Sequence, residues 1–283
     1  MFQKNIKPPG PESKKLMADT ADRHLLYQQS VQDVETEIDF VEQTWSELRQ
    51  RPAVFLREDF CGTANTACEW VVRDKSHHAV GVDLDKSVLE WGSLYRLAEL
   101  DDEQLERIEL LHEDVLLTRP GLVDIILAMN FSYYLFLTRD GLREYFANAL
   151  DGLVSDGILI LDAYGGYEAP MVLTEPRECQ DEDGKDFTYI WDQAAFNPID
   201  SCMICHIHFE FPDKSRLEEA FSYNWRLWTL PEIREILYEA GFSNVDIYWE
   251  GTDEEKNEGN GIYKPSEDGD ADPGWVCYIV AQA

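Results

Sequence analysis

The residues of this chain whose types and spacing could do chemistry fall in four short stretches, each after an apolar run. The first is Glu58-Asp59-Phe60-Cys61-Gly62-Thr63-Ala64, directly behind Ala53-Val54-Phe55-Leu56. A strand-to-helix turn of small residues lets a ligand approach the backbone, and the helix start behind it offers free N–H groups. With one glycine, such a turn is by itself equally an ordinary connection. The second stretch is Asp83, twenty-one residues after Gly62 and at the end of the run His78–Asp83. An acid there can accept both ribose hydroxyls of a nucleoside. Turn and acid at this spacing make nucleoside binding the better reading, while Asp85 reads as the cap of the next helix. The third is His112-Glu113-Asp114-Val115, whose acid can accept an adenine amino group. The fourth is Met129-Asn130, after Val123–Ala128.

These stretches need a frame that brings them to one edge. Apolar runs at residues 53–56, 78–83, 107–111, 123–128 and 157–162 read as strands, with helices between them at residues 63–73, 86–100 and 142–150. Thr63 reads as the N-cap of the first. Pro231 then starts a helix that Gly241 ends, and two last strands follow at residues 245–249 and 275–280. Apolar strands alternating with amphipathic helices imply an α/β fold, a Rossmann-like and mostly parallel seven-stranded sheet with helices on both faces. In such sheets ligands bind at the carboxyl ends of the strands, where all four stretches fall.

Between the fifth strand and the following helix the pattern changes. Cys202–Phe211 alternates, Pro212-Asp213-Lys214-Ser215 reads as a turn, and residues 216–228 return as a strand, so an antiparallel β insertion, a hairpin, is expected there. Cys202, Cys205, His206 and His208 have the residue types of a metal site, but alternation turns Cys205 away from both histidines and no second ligand pair follows, so no metal is expected. His206 and His208 read equally as pocket residues or as an exposed sheet face. The organisation expected is a flexible leader over 1–20, an α/β core with an N-terminal lid helix over 21–163, a cap over 164–230, and the rest of the core over 231–283 with a mobile acidic loop at 250–274.

The 283 residues carry 24 basic and 56 acidic side chains, a net charge of −32. That field repels nucleic acid, and no cluster of five Lys/Arg opposes it. It serves solubility first and attraction of a cationic substrate second. No apolar run approaches the ~18 residues of a membrane span. The N-terminus lacks the apolar stretch of a signal peptide, and six scattered cysteines read as reduced thiols, so a cytoplasmic protein with no membrane partner is expected; self-association into a homo-oligomer is left open.

On these motifs the chain resembles the class I S-adenosylmethionine (SAM)-dependent methyltransferases over residues 50–163 and 230–283, including the helix–strand–strand ending. The family's turn reads acid-x-Gly-x-Gly-x-Gly; this chain has Glu58, Phe60, Gly62 and Ala64 in those places. The resemblance implies SAM as cofactor, with Glu58, Phe60, Gly62 and Ala64 at its methionine end, Asp83 and Leu84 at the ribose, Asp114 and Val115 at the adenine, and Asn130 beside them. It implies a lid contact from Tyr27, and methyl transfer by in-line displacement to a small-molecule acceptor under the cap. Trp191, His206, His208 and Arg226 are the substrate-binding candidates, and Tyr134 and His206 the catalytic ones. A nicotinamide enzyme expects three glycines where one is present. Two rivals keep the fold: transfer of another group from a SAM-like donor, and an inactive scaffold whose cleft Phe60 blocks.

Overall fold

A computed structural model describes residues 15–253 and 258–283 of the chain. Eight strands form one sheet. Five lie parallel: β1 (Phe55–Asp59), β2 (His78–Asp83), β3 (Ile108–His112), β4 (Val123–Ala128) and β5 (Leu153–Gly165). Between β5 and the rest of this sheet come four further strands, β6 (Leu173–Gln180), β7 (Asp186–Asn197), β8 (Cys202–Glu210) and β9 (Arg216–Arg226). The chain then returns through β10 (Asn244–Asp253), β11 (Glu258–Pro265) and β12 (Trp275–Gln282), giving the order β11-β10-β12-β5-β4-β1-β2-β3, with β12 antiparallel to both its neighbours.

Two cores cover the faces. Helices α2 (Val34–Leu48), α3 (Asn65–Arg73) and α4 (Lys86–Tyr95) bury Ile38, Val41, Trp45, Trp70, Val71 and Leu89 on one side. After a single turn, α5 (Asp102–Leu105), the helices α6 (Arg139–Asp151) and α7 (Leu230–Ala240) bury Leu142, Tyr145, Phe146, Ile233 and Ile236 on the other. Helix α7 begins with a capping box, Thr229 and Glu232 exchanging hydrogen bonds, and ends at Gly241 with φ 113°, as Pro231 and Gly241 foretold.

Several expectations are corrected. The sheet has eight strands, not seven, because the stretch read as a mobile acidic loop, 250–274, carries β11 against β10; its residues 254–257 lie outside the described ones. The cap is a four-stranded sheet, β6-β7-β8-β9, rather than a hairpin. The first strand runs on through Arg57-Glu58-Asp59, which charge alone argued against. Arg57 and Asp59 are both 1% exposed, and pairing at 2.8 Å lets the strand keep them inside. Of the leader expected to be flexible, residues 1–14 lie outside the described ones. Residues 17 and 18 are held, their N–H groups donating to Asp213 and Ser215 at the turn between β8 and β9.

Candidate functional site

The turn after β1 keeps a glycine-type backbone with two of its three glycines replaced. Phe60, Gly62 and Ala64 all stand in the left-handed region, at φ 57°, 54° and 60°. For a side chain that conformation costs about 1–2 kcal/mol. The surroundings hold it: Gly62 N–H donates to Asp83 Oδ2 at 2.8 Å and Cys61 N–H to the Val82 carbonyl at 3.0 Å. The Phe60 ring leans on Tyr145 and Phe136, at 5.4 and 6.3 Å between centroids, and leaves the cleft beside it open. Helix α4 seats on the turn because Gly92 has no Cβ; one there would come within 2.5 Å of the Thr63 carbonyl oxygen.

Thr63 is not the N-cap of α3. The cap position falls on Ala64, which has no side chain to offer, and Thr63 Oγ1 accepts from Gln28 Nε2 at 2.7 Å instead. The cap comes from below: Glu58 Oε2 accepts the Ala67 N–H at 2.9 Å. Burial pushes the Glu58 carboxyl up to about 8 against that bond, and the nearby Glu37 carboxylate adds to the rise. Space beside Gly62 is open, since a Cβ there would meet nothing within 4 Å. Gly62→Ala is therefore expected to fold, with only the left-handed penalty of about 1 kcal/mol. The melting temperature should fall by roughly 2–4 °C; a thermal melt that shows no folded protein would disprove this account of the turn.

The turn opens on a cleft of about 1130 Å³ at the carboxyl ends of β1 to β4. Glu58, Phe60, Gly62, Asp83, Leu84, Asp114, Val115, Asn130 and Tyr27, the residues that the resemblance assigns to a cofactor, all line it. Ala64, also expected, is fully buried behind the turn and lines nothing. Burial raises the Asp83 carboxyl, against the N–H bonds it receives from Asp85 and Gly62. Asp85 caps α4 through the Ser87 N–H at 2.8 Å, as read. Helix α1 (Arg23–Val31) brings Arg23, His24 and Tyr27 to the cleft, and its N-cap Asp22 accepts from Trp91 Nε1 at 2.8 Å; the helix ending near Arg49, expected as the lid, is α2, which packs Ile38, Val41 and Trp45 on the sheet instead.

A second cavity, of about 240 Å³, lies between this sheet edge and the cap. Tyr27, Asn130, Tyr223 and Trp225 line both cavities, so the two meet there. Its walls are aromatic: Phe131, Tyr164, Tyr189 and Trp191 join Tyr223 and Trp225. Gln193, 4% exposed, fixes the rim by donating to the carbonyls of Met171 and Glu168 at 2.8 and 3.2 Å. Glu168 and Glu175 also line it, and their carboxylates have no hydrogen-bond or ion-pair partner among the described residues.

Four sequence candidates are not in either cavity. His206 and His208 lie on the opposite face of β8 from Ile207, which lines the pocket. There His206 Nδ1 meets Ser222 Oγ at 2.8 Å, and His208 Nδ1 accepts from the Glu219 N–H at 2.9 Å. Arg226 pairs with Glu232 at 3.0 Å and stacks on Trp228 at 3.7 Å. Tyr134 is fully buried and donates its hydroxyl to the Tyr164 carbonyl at 3.1 Å, so it is part of the packing. Trp191 alone of the substrate candidates lines the pocket. Missed were Tyr164 and Glu168, although they flank Gly165-Gly166 at the carboxyl end of the fifth strand, where the ligand was expected. No metal-type group of three or more ligands occurs among the described residues.

No protein-family profile matches the chain, and no curated protein matches it by sequence. Solved structures do. A SAM-dependent methyltransferase from Clostridium acetobutylicum superposes with a TM-score of 0.66 at 16% identity, over 91% of this chain and 96% of that one. The fold is that of the class I methyltransferases. SAM-bound CalS10, an amino pentose methyltransferase from Micromonospora echinaspora, gives a TM-score of 0.65 at 14% identity over 92% and 95% of the two chains. The sugar N-methyltransferase KedS8 from a Streptoalloteichus species gives 0.64 at 13% over 99% of each. All three span this chain's core and its inserted sheet together, so the methyltransferase fold here includes the cap.

Proposed function

We propose that this protein is a SAM-dependent methyltransferase that methylates the nitrogen of a small aminated acceptor held under the cap. The observation that carries the reading is the meeting of the two cavities at Tyr27, Asn130, Tyr223 and Trp225. One cavity, of about 1130 Å³, lies just above the ~300–1,000 Å³ of ordinary ligand sites and is large enough for a nucleoside donor; the other suits an acceptor of about one ring. Net charge, the Glu168 and Glu175 carboxylates, without partners among the described residues, and aromatic walls favour a cation over an anion. By their names CalS10 is an amino pentose methyltransferase and KedS8 a sugar N-methyltransferase.

The cleft fits SAM on its own features. Asp83 is a carboxylate at the end of β2 with its side chain on the cleft, and Gly62 leaves open the space a Cβ would take. Asp83 would hold the ribose, Asp114 and Val115 the adenine, and the left-handed turn at Phe60–Ala64 the methionine end, with Glu58 bracing that turn through α3. Bound SAM supplies a methyl group already activated by its sulfonium charge. The residues of the pocket orient the amine so that its lone pair lies in line with the methyl, and helix α1 and the aromatic walls exclude water. Glu168 and Glu175 draw the acceptor in as an ammonium and accept the proton it sheds before attack.

Among the described residues no helix is long and apolar enough to cross a membrane. All six cysteines are free, which fits a reducing compartment such as the cytoplasm. Incubation with SAM and a panel of amino sugars and simple amines, read by mass spectrometry, tests the reading. S-adenosylhomocysteine should appear together with a product heavier by one methylene. SAM binding without either product would leave an inactive scaffold, and a different mass gain would mean another transferred group.

A further inference from the structure

Just past β4, Asn130 and Phe131 stand consecutively in the left-handed region, at φ 57° and 56°. Two adjacent side-chain-bearing residues there are strained, and such strain persists only where the surroundings over-determine it. Here one side chain does so. Asp162 on β5 accepts the Asn130 N–H at Oδ2 and the Phe131 N–H at Oδ1, both at 2.8 Å. Asp162 is itself 7% exposed, on the strand beside β4. The Tyr133 hydroxyl donates to the Asp162 carbonyl at 2.8 Å, fixing the turn from its far side. The outcome is that Asn130 lines both cavities where they meet, while its carboxamide makes no hydrogen bond to any described residue.

We propose that Asp162 is a positioning residue for the methyl-transfer step, holding the Asn130–Phe131 turn so that the Asn130 carboxamide oxygen faces the donor–acceptor junction and accepts from a charged N–H group there. The assignment rests on the reading of the large cleft as a SAM site. Asp162 lines neither cavity, so it acts through Asn130.

Calorimetry with two cofactor analogues tests this without the acceptor. S-adenosylhomocysteine has no group at the transferred methyl; sinefungin carries an amine there. The wild-type chain should prefer sinefungin by about tenfold, the worth of one charge-assisted hydrogen bond. Asn130→Ala and Asp162→Asn should each abolish that preference while S-adenosylhomocysteine affinity stays within about threefold, and the double variant should lose nothing more. A wild-type chain that binds S-adenosylhomocysteine without preferring sinefungin, or an Asp162→Asn chain that keeps the preference, overturns the proposal. A wild-type chain that binds neither removes the SAM reading itself. Should Asp162→Asn alone fail to fold, Phe131→Gly is added, since glycine bears no left-handed penalty. A folded double variant without the preference supports the turn-holding role; one that stays unfolded means Asp162 serves the core, and the proposal fails.

Discussion

Replacing Asp83 by alanine should weaken SAM binding by about 10- to 150-fold, the equivalent of roughly 1.5–3 kcal/mol for hydrogen bonds to a charged acceptor. Two effects add. The ribose hydroxyls lose their carboxylate, and the Gly62 N–H loses the 2.8 Å bond that pins the turn. Asp83→Asn separates them, because its remaining oxygen can still receive one N–H. The asparagine variant should fall between wild type and alanine. Titration calorimetry on variants whose melting curves remain cooperative checks this, and equal affinity for all three would remove Asp83 from the cofactor site.

The second large effect is expected in the pocket. Trp191 stands 6.2 Å from the Tyr223 ring and 6.1 Å from the Trp225 ring, between centroids, and forms one wall. Its truncation to alanine takes a large aromatic surface away from the acceptor, and truncating an aromatic anchor of a binding site costs about 2–4 kcal/mol of interaction. Turnover of an aminated acceptor, as kcat/KM, should fall by more than about 100-fold, while S-adenosylhomocysteine affinity stays within about threefold of wild type. His206→Ala is the internal control, because His206 occupies the outer face of β8 beside Ser222. Retained turnover in Trp191→Ala combined with loss in His206→Ala would mean that the acceptor binds on the outside of the cap.

The parts of this molecule that a sequence displays are those where one physical rule acts alone. The alternation of apolar strands and amphipathic helices put Gly62, Asp83, Asp114 and Asn130 at one sheet edge, and the structure places them around one cleft. What stayed hidden depended on contacts that the local pattern does not display. Arg57-Glu58-Asp59 looked like the end of a strand, because the bonds that let those charges be buried come from one another, from Tyr145 and from Ala67. Period-two alternation correctly split the two faces of β8, yet it could not say which face meets the pocket. His206 and His208 were therefore equally pocket residues or surface ones until β7 and β9 were in place beside them. Phe60 and Ala64 hid the turn for a different reason: the left-handed backbone is retained while the residue type that signals it is not.

The cap is one uninterrupted segment, and no described strand of the large sheet pairs with it: β5 pairs with β4 and β12, neither of which belongs to it, and meets the cap through side chains such as Tyr164, whose hydroxyl donates to Met203 Sδ at 3.0 Å. In strand pairing, residues 173–226 therefore stand as a cassette. One strap breaks that independence. Helix α1 arches over the cleft, yet it is tied to the cassette, the Ser30 carbonyl receiving from Arg177 and Arg23 donating to the Ala220 carbonyl. A chimera that swaps the cassette alone would strand that helix against an unfamiliar surface. The natural unit of exchange is thus split in sequence but single in space, α1 travelling with the sheet it is strapped to.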